Sequence, residues 1–259
     1  MRIVKDSIKS VAFRAFPELT LKALSIRSRR IIENQVKELG LDRLAREISK
    51  RTGGRVASGP FKGMRLDYDA LPVHGAPKLL GTYEKELHSV VERAISLSPR
   101  HVLNVGCAEG FYAVGLALRL PEATVFFADA DPKAEQATMI NAKLNNADGR
   151  VKAVGIMKPG TFWRYLQFPN SLLVMDCEGA EFSLLNPNTD PILLCVNTLV
   201  EVHQKFGNAS EIATRFTQHR ITLIEPKPRA AADSPFPDLT VSALDDRTGD
   251  KSWLFIEPR

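Results

Sequence analysis

Short apolar runs alternate with amphipathic stretches along most of the chain, and seven of these runs predict β-strands. The runs begin at His101 and lie over 124–128, 150–155, 171–176, 197–203, 220–224 and 251–256. Because strands that alternate with helices form parallel sheets covered on both faces, the pattern predicts an α/β fold with a doubly wound sheet. The last two strands suit the reversed edge that many such sheets carry.

The run that begins at His101 leads straight into a turn of small residues. Gly106 lets the chain leave the strand, while Ala108 and Gly110 keep side chains out of the space where backbone amides would meet a ligand. An apolar helix pattern follows, and a strand-turn-helix corner of this kind is typical of a site for a nucleotide-like ligand. The turn lacks the middle glycine of a dinucleotide fingerprint, which argues against a nicotinamide cofactor.

An acidic residue, Asp129, ends the second predicted strand about 20 residues beyond these glycines, at the spacing that ribose recognition requires. A carboxylate there can accept hydrogen bonds from both ribose hydroxyls. The alternative is that Asp129 and Asp131 only cap the helix that starts near Pro132. The sequence leaves both interpretations open.

Four ordered features together resemble the FkbM-type S-adenosylmethionine-dependent methyltransferases. They are the turn around Gly106, Asp129, the run 175–181 with its Asp-x-Glu-Gly-Ala-Glu pattern, and the run 200–203, and the likeness spans residues 78–204. The resemblance implies the seven-stranded class I methyltransferase sheet, which is Rossmann-like, and S-adenosylmethionine as cofactor. It also implies that Gly106 and Gly110 flank the methionine part of the cofactor and that Asp129 holds the ribose.

The predicted cofactor contacts extend to the neighbours of these residues. They are Asn104, Gly106, Cys107, Ala108, Glu109, Gly110, Asp129, Ala130, Gly155 and Asp176, with Tyr83 and Glu84 on a segment that the resemblance places over the cofactor. The family usually has an acid where this chain has Asn104, and an amide cannot neutralise the ammonium of the cofactor. Either Glu109 replaces that acid, or Glu109 is an acid of the first helical turn. Glu84 and Glu86 are open to the same second interpretation.

Four polar residues at the ends of the fourth and fifth strands are the predicted catalytic residues: Asp176, Glu178, Glu201 and His203. The carboxyl ends of parallel strands line one crevice, and residues two apart share a face while the chain stays extended. His203 or Asp176 is the predicted base, because a hydroxyl acceptor must lose its proton. Asp176, Glu201 and His203 as ligands of a divalent cation remain an alternative. No ligand-spacing motif supports that alternative, so the sequence predicts no metal.

Residues near the catalytic set carry simpler interpretations too. Glu181 fits the first turn of a helix, and Glu178 could cap that helix. The segment 78–87 is expected to open a helix with Thr82 as N-cap. The loop 226–237 is expected to shape the acceptor pocket. The remaining histidines are expected to be structural or at the surface: His74, His88, His101 and His219.

Composition and residue patterns also predict the cellular compartment and the division into domains. The 259 residues are 44% apolar and can bury a substantial core. Cys107, Cys177 and Cys195 have no metal spacing and are expected to be reduced, buried thiols of a cytoplasmic protein. No apolar run approaches the ~20 residues that cross a bilayer, and no secretion signal is evident. The predicted domains are a basic helical N-terminal arm (1–52), a hairpin-like insert (53–77) and the methyltransferase domain (78–259).

The N-terminal arm concentrates positive charge, since residues 1–55 hold 14 Lys or Arg against 6 Asp or Glu. Its amphipathic pattern is expected to pack on the catalytic domain and on a second subunit as a homodimer. Contact with an acidic membrane surface or with a phosphorylated substrate is the alternative. A nucleic-acid partner is not expected, because no aromatic platform or recognition motif accompanies the charge.

The function predicted from the sequence is therefore S-adenosylmethionine-dependent methylation of a hydroxyl group on a small molecule or sugar. Two other classes remain: an NAD(P)-dependent oxidoreductase on a similar sheet, and a catalytically inactive binding module that keeps the sheet.

Overall fold

The fold is built on a seven-stranded sheet, as seen in a computed structural model that describes residues 41–67, 75–167, 170–236, 238 and 251–259. The strands are β1 (His101–Val105), β2 (Thr124–Ala128), β3 (Val151–Ala153), β4 (Ser171–Met175), β5 (Asn197–His203), β6 (Arg220–Ile224) and β7 (Lys251–Glu257). Their order across the sheet is β3-β2-β1-β4-β5-β7-β6. Strands β1 to β5 run parallel, and β7 runs antiparallel to both β5 and β6. This confirms the predicted seven-stranded sheet of the α/β class.

The helices of the described residues alternate with the strands. They are α1 (Leu41–Thr52), α2 (Gly75–Leu80), α3 (His88–Ser96), α4 (Phe111–Arg119), α5 (Pro132–Leu144), α6 (Glu181–Leu184) and α7 (Ala209–Ala213). Short 3₁₀ turns cover Lys85–Leu87, Phe162–Arg164, Pro191–Leu194 and Ala231–Asp233. None of the described helices is long and apolar enough to cross a membrane.

The central strands β1, β4 and β5 are buried on both faces, which explains why they are mainly continuous apolar runs rather than alternating ones. All five residues of β4 are buried. Neighbouring residues of one strand contribute to different cores: Val102 belongs to one apolar cluster and Leu103 to the other. Successive side chains of a strand point to opposite faces, so the two clusters lie on the two sides of the sheet.

One local prediction was wrong, because the segment 78–87 does not open a helix with Thr82 as its N-cap. Helix α2 ends at Leu80, and Gly81 follows with φ of +76°. A Cβ at Gly81 would lie 2.0 Å from the backbone oxygen of Ser58, so the close approach of that loop requires glycine. The backbone N–H of Thr82 then donates to Pro77 O at 2.9 Å, which closes the end of α2.

The helix after β2 begins as expected. The side chain of Asp131 accepts a hydrogen bond from the backbone N–H of Lys133 at 3.0 Å, and Pro132 is the first helical residue. Asp131 is therefore the N-cap of α5. Strand β3 is shorter than the run 150–155 that predicted it.

The segment before the catalytic sheet has a hairpin-like form in its first part. Arg55 and Arg65 form an isolated antiparallel bridge, and the N–H of Val56 donates to Met64 O at 2.9 Å. Residues 1–40, which hold most of the predicted basic arm, and His74 lie outside the described residues. The domain boundaries stay a prediction.

Candidate active site

The carboxyl ends of the parallel strands bring the predicted site residues to one edge of the sheet. The ends of β1 and β4 lie close together there, since the N–H of Asp176 donates to Val105 O at 2.9 Å. Gly106 has φ of +77°, and a Cβ on it would lie 1.5 Å from the backbone oxygen of Asp176. The close packing of two strand ends therefore requires glycine at this position.

His203, the last residue of β5, is the centre of the acidic cluster and is only 4% exposed. Its Nδ1 lies 3.0 Å from Oε1 of Glu181, and its backbone N–H donates to the same oxygen at 2.9 Å. The other oxygen of Glu181 accepts from the N–H of Gly179 at 2.8 Å. Glu181 is fully buried and holds the ring in one orientation.

The second ring nitrogen of His203 faces three carboxylates. Its Nε2 lies 3.2 Å from Oε2 of Glu201, 3.5 Å from Oδ1 of Asp176 and 3.5 Å from Oε2 of Glu178. The structure thus brings all four predicted catalytic residues together. The assumption that the chain stays extended from Asp176 to Glu178 was wrong, because Glu178 has φ of +52° and reaches His203 through a turn.

Charge in this cluster changes the protonation of its members. Burial opposes a charge on His203, but the carboxylates of Glu181 and Glu201 and the charge of Asp176 outweigh it and raise the pKa of His203 to about 10. Burial first, and then the charge of Glu201, raise the pKa of Asp176 well above its usual range. The hydrogen bond from His203 lowers the pKa of Glu181 despite its burial.

A lysine from the neighbouring strand offsets part of the negative charge. Lys251, the first residue of β7, lies opposite His203 in the sheet register. Its Nζ lies 3.2 Å from Oε2 of Glu201 and 3.8 Å from Oε1 of Glu178. The sequence did not single out Lys251, because only the antiparallel pairing of β7 with β5 brings it to the site.

Glu84 joins the cluster from the segment that was predicted to cover the site. One of its carboxylate oxygens lies within 4.8 Å of carboxylate oxygens of both Asp176 and Glu201. It is fully buried, has φ of +48°, and accepts a hydrogen bond from the hydroxyl of Tyr112. Tyr83 instead packs into the core beneath, with its ring centroid 5.5 Å from that of Phe111.

The sequence left open the alternative that Glu84 and Glu86 are both acids of a first helical turn. Glu86 lies in the first turn of the 3₁₀ segment Lys85–Leu87, whereas Glu84 precedes that segment as its N-cap residue and makes no side-chain cap. The first-turn interpretation is right for Glu86 and wrong for Glu84. Glu181, likewise, lies in the first turn of α6, but its bonds to His203 give it a further structural role.

Glu109 does not fit either interpretation that the sequence left open. It precedes Gly110, the N-cap of α4, and the first turn of that helix holds no acid. Its carboxylate forms a buried ion pair with Lys78, and the two side chains are 3% and 5% exposed. The charge of Glu109 is therefore already neutralised by the protein, so it is no replacement for the missing acid at position 104.

Two hydrogen-bond acceptors, on Asp129 and Asn104, show how the residues fit a bound S-adenosylmethionine. Asp129 is half-buried, and its two oxygens accept backbone N–H bonds from Ala108 at 2.9 Å and from Asp131 at 2.8 Å. Each carboxylate oxygen keeps a second lone pair, as a ribose diol requires. The amide of Asn104 donates to Val174 O at 3.3 Å, while its buried Oδ1 has no hydrogen-bond partner among the described residues. That acceptor suits the ammonium of the methionine part.

The remaining predicted cofactor contacts lie around this turn. Ala130 follows Asp129, and Gly155 has φ of +72° with open space where a Cβ would lie. Gly110 has φ of +86°, and a Cβ on it would meet the side chain of Thr138 at 2.8 Å. The space at Gly110 is therefore filled by the protein, in contrast to the expectation that this glycine clears room for a ligand. Cofactor contacts at these positions stay predictions.

The three thiols are free, but they differ in burial. Cys107 is buried, and its sulfur accepts a hydrogen bond from the Thr138 hydroxyl at 3.4 Å. Cys177 and Cys195 are half-buried, so the expectation of three buried thiols was right for Cys107 alone. Burial raises the pKa of both Cys107 and Cys177.

Among the other histidines, two have the structural role that was expected. A ring nitrogen of His88 lies 3.3 Å from Tyr83 O, and one of His219 lies 3.0 Å from Leu194 O.

Comparison with known proteins gives limited matches. No family model matches the chain. A ribosomal protein L11 methyltransferase from Herpetosiphon aurantiacus is 33% identical over 108 residues, which are 41% of this chain and 32% of that protein. This chain thus matches about a third of the relative's length.

Solved structures resemble the chain only distantly. A human methyltransferase 10 domain containing protein is 10% identical with a TM-score of 0.49, and the match covers 90% of this chain and 97% of that one. The O-methyltransferase TomG from Streptomyces achromogenes is 12% identical with a TM-score of 0.44, over 65% of this chain and 77% of that one. At such scores the fold assignment depends on the sheet order itself.

Proposed function

We propose that this chain is an S-adenosylmethionine-dependent methyltransferase of the FkbM type that methylates a hydroxyl group of a small molecule or sugar. The observation that carries the proposal is the convergence of Asp176, Glu178, Glu201 and His203 at the same sheet edge as Asp129 and the turn at Gly106. Buried carboxylates are unfavourable without a positive partner, so their concentration in one place points to chemistry. The matched segment of the L11 methyltransferase supports methyl transfer, without bearing on the hydroxyl acceptor.

The residues divide into a cofactor part and an acceptor part. Asp129 would accept hydrogen bonds from the ribose hydroxyls, and Oδ1 of Asn104 would accept one from the ammonium. When bound, S-adenosylmethionine supplies a methyl group whose carbon–sulfur bond breaks with the electron pair kept by sulfur, as the acceptor oxygen forms the new bond. Asp176, whose side chain is 27% exposed, would take the hydroxyl proton. Its raised pKa makes it a stronger base than an ordinary carboxylate.

His203 holds this arrangement rather than taking the proton itself. With a pKa of about 10 it carries a proton at neutral pH in the absence of a cation. Its ring therefore positions the carboxylates of Asp176 and Glu201, and Glu181 in turn fixes the ring. Of the two bases that the sequence suggested, this favours Asp176.

Calorimetry with S-adenosylmethionine, S-adenosylhomocysteine and NAD⁺ tests the cofactor. We expect heat of binding for the first two and none for NAD⁺. Binding of NAD⁺ alone would favour the oxidoreductase class, and heat for neither sulfur ligand would eliminate the proposal.

Incubation of a cell extract with isotopically labelled S-adenosylmethionine tests turnover. The protein and small-molecule fractions are measured separately by mass spectrometry, because the name of the matched relative specifies a ribosomal protein as acceptor. We expect the label in the small-molecule fraction, and we expect Asp176→Asn to lose it while it still binds S-adenosylhomocysteine. Cofactor binding without any labelled product would favour the inactive binding module.

A further inference from the structure

We infer that Asp176, Glu178 and His203 form a binding site for one divalent transition-metal ion such as Zn²⁺ or Mn²⁺. One carboxylate oxygen of Asp176, one of Glu178 and one ring nitrogen of His203 all lie within 4.8 Å of one another. Oδ1 of Asp176 and Oε2 of Glu178 are each 3.5 Å from Nε2 of His203. Around a tetrahedral Zn²⁺ with bonds of about 2.0–2.1 Å, neighbouring ligand atoms are about 3.4 Å apart. The two separations from Nε2 to the carboxylate oxygens therefore match those of ligands around a shared ion.

The imidazole supplies an independent reason. His203 is 4% exposed, and its Nε2 has no hydrogen-bond partner of acceptable geometry among the described residues. Glu181 engages Nδ1 on the opposite side of the ring at 3.0 Å. A carboxylate that holds one ring nitrogen in its N–H form leaves a lone pair on the other, as in carboxylate–histidine–metal triads. In the ion-free ring a proton on Nε2 faces the carboxylate oxygens, and a metal ion would take the place of that proton and bind the lone pair.

Charge also favours a cation. Glu201 and Glu181 add their carboxylates to those of the two proposed ligands, and Lys251, which contacts Glu201 and Glu178, brings a single positive charge to these four carboxylates. A divalent ion would offset the excess negative charge that the lysine leaves. Glu178 is 49% exposed, so an ion can enter from solvent and keep positions open for water or an acceptor.

The mixed ligand set indicates the class of ion. One imidazole nitrogen with two carboxylate oxygens suits borderline ions, whereas Ca²⁺ and Mg²⁺ prefer oxygen ligands alone. The sequence alternative named Glu201 as the third ligand, but Glu201 is paired with Lys251 and Glu178 takes its place through the left-handed turn.

This inference rests on the proposed function for its role, since the ion would bind the acceptor hydroxyl and lower its pKa. Asp176 would use Oδ1 for the ion and keep its second oxygen to accept the hydroxyl proton. The ion would make this carboxylate a weaker base, but it would also lower the pKa of the bound hydroxyl, so that a weaker base suffices. Ion and base would then act on the same acceptor oxygen.

The test uses the full chain without an affinity tag, freed of metal with a chelator and titrated with Co²⁺ alone. Its visible absorption reports coordination, and Zn²⁺ added afterwards should displace it. We expect saturation at one ion per chain, with no thiolate charge-transfer band, because the proposed ligands are oxygen and nitrogen. Glu178→Gln should weaken Co²⁺ binding at least about tenfold. Glu178 is exposed enough for this variant to fold.

The matched control is Glu122→Gln, an exposed acid that pairs with Arg100 at 3.8 Å. It should bind Co²⁺ as the unchanged chain does. No saturable binding, a thiolate band that places the ion on a cysteine such as Cys177, or equal affinity in Glu178→Gln would each overturn the inference. Calorimetry with S-adenosylhomocysteine on the same samples separates the two proposals. Cofactor binding without Co²⁺ binding would overturn only the metal site, and the reverse would overturn only the methyltransferase.

Discussion

The two carboxylate oxygens of Glu181 serve four donors in the core of the candidate site. Oε1 faces the backbone N–H and Nδ1 of His203, and Oε2 faces the N–H of Gly179 and the thiol of Cys177. A carboxylate suits this place because both of its oxygens accept and neither donates. The orientation of His203, and with it the meeting of the catalytic residues, depends on this one buried acid.

Glu181→Gln should therefore lower the free energy of unfolding by about 1–3 kcal/mol, because an amide has only one acceptor oxygen. In either orientation its NH₂ group meets a buried donor, at Gly179 or at His203. Urea unfolding followed by circular dichroism measures the change. Glu122→Gln, at an exposed position, should stay within about 0.5 kcal/mol. Equal stability of the two variants would mean that Glu181 is not the partner of His203.

Asp129→Ala should weaken the binding of S-adenosylhomocysteine by about 1.5–3 kcal/mol, the worth of hydrogen bonds to a charged group. Calorimetry measures the affinity, and circular dichroism checks that the variant is folded, since Asp129 also accepts from the N–H groups of Ala108 and Asp131. Asp148→Ala removes an exposed acid and serves as the control. Unchanged affinity in Asp129→Ala would show that the ribose lies elsewhere.

At the scale of single residues, the sequence predicted which site residues lie together but not the contacts that bring them together. The convergence of the four polar residues followed from the parallel sheet, whose strand ends share one edge. The positive φ of Glu178, the ion pair of Glu109 with Lys78 and the approach of Lys251 depend on contacts between distant segments. No local pattern encodes such contacts.

Among the elements, the turn after β1 shows how a glycine can serve packing and ligand binding together. The sequence suggested that Gly106 clears space for a cofactor. In the structure the backbone oxygen of Asp176 lies where its Cβ would be. The glycine is thus needed for the contact of the β1 and β4 ends, whether or not a ligand is bound.

Gly106→Ala should destabilise the chain by about 3 kcal/mol or more, because the added methyl overlaps backbone atoms and φ is positive. We expect the urea concentration at the midpoint of unfolding to fall strongly, or the variant to be insoluble. Gly149→Ala is the matched control, since its Cβ would meet nothing within 4 Å and its φ is not in the left-handed region. Similar stability of both variants would show that β1 and β4 do not approach so closely.

Strands β2 and β5 were predictable because burial leaves a strong apolar signal, and both have the predicted limits. The edge strand β6 also has the predicted limits, although three of its five residues are exposed. Shorter elements were harder, because their ends depend on tertiary contacts: α2 stops at the approach of Ser58 to Gly81, which lies far away in sequence. The position of β7 between β5 and β6 likewise follows from pairing rather than from local sequence.

At the scale of the whole molecule, a buried arginine ties the loop after β6 to the segment beside the site. Arg229 is 8% exposed; its Nε donates to Thr82 O at 3.1 Å, and its guanidinium pairs with Glu86. The side chain of Glu86 is 1% exposed. Arg229→Met should lower the free energy of unfolding by about 3–5 kcal/mol, because it leaves Glu86 buried without its partner.

Comparison with a second ion pair separates burial from charge. Lys85 pairs with Asp233 between the same two segments, but Lys85 is 42% exposed. Lys85→Met should therefore lower the free energy of unfolding, measured in urea, by no more than about 1 kcal/mol. The double variant Arg229→Met with Glu86→Gln should recover much of the loss, because no charge is then left buried. If Arg229→Met lowers the free energy of unfolding no more than Lys85→Met does, the loop is held by its backbone rather than by the pair of Arg229 with Glu86. If the double variant is no more stable than Arg229→Met, the loss comes from packing and from the bond to Thr82.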